Sequence, residues 1–211
     1  MKEIAQLLGV SKSSVSLWVR DIELTAAQHA ALQVRNRLHE RQILARAAMS
    51  ANARARRLAW QEDGRKRAAL GDNNFAAGCM LYWAEGSRNR NRLVFTNSDP
   101  EMVRYFVDFL RAAFDPPTER SRVTCDLFAD HAAQQNEIED FWLTTVRLPR
   151  SCLYKSVVNR YSRYSKKKRT NKLPYGTCRL VVHSTQVTQT IYGSIQEIAG
   201  FERCEWLDLP I

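Results

Sequence analysis

The chain has 211 residues, 45% of them hydrophobic and 26% charged, with 32 Lys+Arg against 22 Asp+Glu and a formal net charge of +10. That apolar content suffices for a packed core, no apolar run reaches membrane-spanning length and no signal peptide opens the chain, so a cytoplasmic protein of one large or two small domains with no membrane partner is expected. Five scattered cysteines without a Cys-x-x-Cys pair argue against a zinc site and a disulfide framework, and no glycine-rich nucleotide loop or small-molecule ligand motif is present.

Residues 1–24 carry a helix-turn-helix pattern. Ile4 and Leu8 fall one turn apart on the expected buried face of the first helix, and Ala5 is small enough for a close crossing. Gly9 suits a left-handed helix end and Ser11 a helix start. Val10, Val15 and Trp18 are the expected wedge between the two helices. Together with Ser11, the residues left to solvent are Lys12, Ser13, Ser14, Ser16, Leu17 and Arg20, a surface of short donors and two cations. That is the composition of a helix lying in a DNA major groove, although an ordinary helical hairpin would share the pattern. The usual motif has a further helix before the pair, and here Met1 already falls in the first helix. The expectation is that a later segment supplies it, that the partner protomer of a homodimer does, or that the chain is an N-terminally shortened variant.

Residues 25–72 are rich in Ala, Arg, Leu and Gln, with Thr25 as a cap and no Pro. One or two long, mostly exposed helices are expected here, broken near Asp63-Gly64. Arg54 and Arg57 are candidate phosphate contacts on a basic helical linker, which could equally be plain solvated surface.

Residues 73–211 change to a mixed pattern, so the chain as a whole is expected to be α+β. Asn74 is positioned to cap an apolar helix over 75–84. Residues 92–97 alternate as a strand, and Asp99-Pro100-Glu101 starts a helix with Met102, Phe106, Phe109 and Leu110 on one face. A strand over 123–128 and a helix over 131–146 follow. Residues 150–175 look irregular, and a strand over 177–183 leads to a helix over 187–199. Charge is unevenly distributed: residues 141–196 hold eleven Lys/Arg and no carboxylate. Lys155, Arg160, Arg163, Lys166, Lys167, Lys168, Arg169 and Lys172, interleaved with tyrosines, therefore read as a clamp for a polyanion.

The run from Ala76 to Gly86 is apolar all round and ends in a lone acid, Glu85. Followed by a strand and then by Asn-Ser-Asp-Pro-Glu heading an amphipathic helix, it resembles the LAGLIDADG homing-endonuclease family. Met80 and Trp83 stand at interface positions where that family has small residues. The resemblance implies an α/β domain over 73–211 whose helix end holds Mg²⁺ through Glu85 if the protein is a nuclease. Arg88, Arg90 and Arg92 are placed either to pair with Glu85 or to contact DNA. A helix-turn-helix joined to such a domain also resembles parts of bacterial sporulation regulators of the WhiA type, whose nuclease-like domain is inactive. The expected function is sequence-specific binding of double-stranded DNA, as a transcriptional regulator or phage-type repressor in the nucleoid, with no cofactor needed for binding. The alternative is a Mg²⁺-dependent homing-type endonuclease using Glu85.

Overall fold

The computed structural model describes residues 1–159 and 173–210, with the side chains of 36–38 and 159 outside the description. The chain is α+β and divides into two compact units, 1–51 and 52–211.

The first unit contains α1 (Lys2–Leu8), α2 (Lys12–Trp18) and the start of α3 (Ala26–Ala68). Gly9 ends α1 at φ 64°, where a side chain would be strained, and its N–H donates to the Ala5 carbonyl. Ser11 is extended, and its hydroxyl accepts from the Ser14 N–H at 3.1 Å, which starts α2. Thr25 and Gln28 cap α3 reciprocally: the Thr25 N–H donates to Gln28 Oε1 at 2.8 Å and the Gln28 N–H to Thr25 Oγ1 at 3.3 Å.

The expected wedge is only partly formed. Val15 is fully buried and Val10 half-buried, but Trp18 is 59% exposed and Ile4 and Leu8 are also exposed. Two seven-residue helices offer too few side chains to enclose a tryptophan. One ion pair, Arg35 to Glu3 at 3.1 Å, links α3 to α1.

The second unit begins with the later part of α3, which runs unbroken through Asp63-Gly64. The expected break is absent because Gly64 is a contact point and not a helix end: a Cβ there would lie 3.0 Å from the Ser194 nitrogen. The elements that follow are α4 (Asn73–Glu85), β1 (Gly86–Ser87), β2 (Leu93–Asn97), α5 (Pro100–Phe114), β3 (Ser121–Phe128), α6 (Gln135–Val146), β4 (Val157–Asn159), β5 (Thr177–Val182) and α7 (Thr185–Ala199). Asp72, not Asn74, caps α4, accepting from the Asn74 and Phe75 N–H groups. Asp99 caps α5 with Pro100 in the first turn, as its sequence signature predicts.

The sheet runs in the order β1-β2-β5-β3-β4, antiparallel except for the parallel pair β3/β4. Strand β4 corrects the expectation that 150–175 is irregular throughout. Alternation along β3 sends Val123, Cys125 and Leu127 inward, on the same face as Cys178 and Leu180 of β5 and Leu93 and Phe95 of β2. Helices α4 to α7 complete the core with Phe75, Tyr82, Phe106, Trp142 and Ile191. The opposite face of the sheet carries Val94, Thr96, Arg122, Thr124 and Arg179, all half-buried or exposed.

Cys79, Cys125, Cys152 and Cys178 are buried and Cys204 is exposed. Burial pushes the Cys79 thiol up to about 12 and the Cys125 thiol up to about 11, which leaves little thiolate to react. A maleimide added to the folded protein should therefore label Cys204 alone at neutral pH. Rapid modification of a second cysteine before unfolding would contradict this arrangement of the core.

Candidate nucleic-acid interface

Two surfaces gather the sequence-predicted residues. On the first unit, Lys12, Ser13, Ser16, Leu17 and Arg20 line one open depression along α2. Helical spacing brings Lys12, Ser13, Ser16 and Leu17 together on adjoining turns, and Arg20 follows in the turn just after α2 ends at Trp18. All five are exposed. Ser11 and Ser14 are used differently, because their hydroxyls lie 2.9 Å apart and serve the cap. What α2 and the turn after it offer a partner is thus two cations, two hydroxyls outside the cap and a leucine, a set able to meet base edges and phosphates.

On the second unit, the loop joining β1 to β2 carries Arg88, Arg90 and Arg92. Arg88 and Arg92 are exposed and Arg90 is half-buried. The ion pairs among the described residues involve none of the three. Lys155 is exposed beside Tyr154. Arg160, Arg163, Lys166, Lys167, Lys168, Arg169 and Lys172 lie outside the described residues.

The linker arginines are committed within the chain. Arg57 is only 7% exposed; its Nε donates to the Leu207 carbonyl at 2.6 Å and its Nη2 to Asp208 at 3.3 Å. Arg54 pairs with the same carboxylate at 2.9 Å. The hydrogen bond from Arg54 holds the Asp208 carboxyl below the usual carboxylate range. These bonds fasten the C-terminal segment to α3 and bury Arg57 almost completely, away from an external phosphate.

Glu85 ends α4 exposed to solvent and accepts a hydrogen bond from Asn97 Nδ2 at 3.3 Å. The expected pairing with a neighbouring arginine is not made. Among the described residues no group of three or more His, Cys, Asp or Glu side chains is placed to hold a metal ion. A lone carboxylate does not make a Mg²⁺ site, so the described residues of a single chain do not fit one.

Sequence reasoning missed the outer face of the sheet. The β2–β5 and β3–β5 registers set Thr96, Arg179 and Thr124 side by side across three strands. Arg179 is held by Asp126 at 2.8 Å, and the Arg122 guanidinium lies 5.6 Å from the Tyr154 ring centroid. The alternation of 121–128 was the available signal, since it places Arg122, Thr124 and Asp126 together on the face away from the core.

Comparison with known protein families, curated proteins and solved structures finds no match to this chain. Among the described residues no helix is long and apolar enough to cross a membrane.

Proposed function

We propose that this protein binds double-stranded DNA sequence-specifically, as a transcriptional regulator or phage-type repressor acting on the chromosome in the cytoplasm. Helix α2 reads bases, and the second unit adds contacts through Arg88, Arg90, Arg92 and the basic stretch from Lys155 onward. The observation that carries this reading is the exposed set Lys12, Ser13, Ser16, Leu17 and Arg20 lining one depression along a short helix and the turn after it, preceded by a glycine turn and a serine cap. The element order of the second unit supports the resemblance to the LAGLIDADG fold: helix, two strands, helix, strand, strand, helix, with α6 and β4 lying between β3 and β5.

The test is a random-duplex binding selection followed by titration of cognate and scrambled fragments. Lys12→Ala and Ser13→Ala should each cost about 1–3 kcal/mol on the cognate site and little on scrambled DNA. Lys155→Gln should weaken both alike. Equal losses on both fragments for all three variants would sink the division of labour. A palindromic selected site would indicate a homodimer.

A second reading, a Mg²⁺-dependent homing-type endonuclease, rests on Glu85, whose carboxylate is exposed and forms no ion pair among the described residues. A symmetric pair of chains would bring two such acids. Mg²⁺-dependent cleavage of the selected site, abolished in Glu85→Gln, would establish this reading. Bound but intact DNA favours the regulator.

A further inference from the structure

The β1–β2 loop presents three arginines in five residues, and its backbone is fastened from beneath. Asn89 is buried, and its Oδ1 accepts from the N–H groups of Asn91 at 3.0 Å and Arg92 at 3.1 Å, which fixes the turn. The Tyr192 hydroxyl accepts from the Asn89 N–H at 3.0 Å and donates to the Asn89 carbonyl at 3.2 Å. Gln189 Nε2 donates to the Arg90 carbonyl at 2.9 Å, and Thr185 Oγ1 donates to the Asn91 carbonyl at 3.4 Å. Burial raises the Tyr192 phenol, so its hydroxyl keeps the proton it donates.

These anchors lie mostly on α7 and take up backbone groups. The charged ends make no ion pair among the described residues, and Arg90 Nε is enclosed with no acceptor in reach there. An arriving anion would supply acceptors to the exposed guanidinium ends of Arg88 and Arg92. An unrestrained loop must be ordered when it grips a ligand, which lowers affinity. Here that ordering is already built into the free protein.

We propose that Asn89 and Tyr192 are positioning residues that hold the Arg88–Arg92 loop ready for the phosphates of a nucleic-acid duplex. This rests on the reading that the chain binds DNA. Because backbone phosphates are the same in every sequence, the loop contributes affinity without selectivity, which complements base reading by α2.

The two kinds of residue leave different signatures in salt. With the full chain and a labelled random-sequence duplex, anisotropy titrations across a salt series give the slope of log K against log salt. Arg88→Gln/Arg92→Gln should make that slope shallower by about 0.9 for each phosphate no longer neutralised. Tyr192→Phe removes no charge, so it should lower affinity about three- to tenfold at every salt concentration and leave the slope intact. In the double-arginine background the same Tyr192→Phe change should do little.

If Tyr192→Phe loses cooperative unfolding, Thr185→Val, which deletes a different anchor from a half-buried site, carries the same comparison. An unchanged slope in the arginine variant overturns the inference, and so does a full Tyr192→Phe loss in the double-arginine background. In either case the DNA reading itself stands. If the unmodified chain binds no duplex at all, that reading fails and the inference goes with it.

Discussion

Gly193→Ala is expected to destabilise the second unit by about 3 kcal/mol or more, an unusually large effect for one methyl group. In a helix interior the same change would ordinarily help, by about 1 kcal/mol of propensity. Here α3 and α7 cross with backbone against backbone. A Cβ at Gly193 would lie 2.6 Å from Gln61 Cα, and one at Gly64 would lie 2.9 Å from the Thr190 carbonyl carbon. Neither neighbour is a flexible side-chain end, so the helices must separate.

Separating them breaks a buried amide network. Gln61 Nε2 donates to Gln189 Oε1 at 2.7 Å, and Gln196 Nε2 donates to Gln61 Oε1 at 3.1 Å. All three glutamines are at most 2% exposed, so any amide left unmet stays unmet away from water. Gly200→Ala is the control. Gly200, unlike Gly193, has a positive φ, 69°, and nothing lies within 4 Å of its added Cβ. It should cost only the left-handed backbone penalty of about 1–2 kcal/mol. Denaturant midpoints of the two variants decide the matter: equal shifts would mean that the close crossing does not limit stability.

This crossing was the least legible part of the fold. In sequence, Asp63-Gly64 looks like a helix end because glycine weakens a helix. The reason to keep it lies on α7, more than a hundred residues away. Arg57 misled for a similar reason: locally it belongs to a basic helical surface, and only the distant Leu207 and Asp208 bury and occupy it. Trp18 follows the apolar spacing of a wedge, yet spacing does not reveal that two short helices fail to cover it. Strand β4 has three residues and no alternation to detect.

What was legible rested on local chemistry. The Gly9 turn and the Ser11 cap sit where backbone hydrogen bonding requires them, and so does the Asp99-Pro100-Glu101 helix start. Lys12, Ser13, Ser16 and Leu17 share one side of α2 because helical periodicity places them there, whereas Ser14 is half-buried in the cap and Arg20 lies past the helix end. Asp72 takes the place of Asn74 as the cap of α4, two positions earlier, a choice between side chains of similar capping ability.

Glu139→Ala should cost about 1–3 kcal/mol, the range for leaving a buried donor without its acceptor. The carboxylate is 4% exposed on α6, and three donors converge on it. Ser156 Oγ donates to Oε1 at 2.7 Å and Gln135 Nε2 to the same oxygen at 2.8 Å, while Arg150 Nη2 donates to Oε2 at 2.7 Å. Removing the acid leaves the Ser156 hydroxyl without its acceptor in a dry site and takes from Arg150 the more buried of its two carboxylate partners. Glu139→Gln should also destabilise, because every neighbour is a donor and the amide NH₂ must face one of them. Arg150→Ala should cost more than Glu139→Ala, because it leaves the buried carboxylate with two neutral donors and without this cation. The consequence reaches the proposed interface, since Ser156 immediately precedes β4 and follows Lys155. In Glu139→Ala, the amides of Val157 and Val158 should exchange with solvent faster than those of β5. If β4 and β5 lost protection in step, the carboxylate would be supporting the sheet as a whole and not this inserted edge.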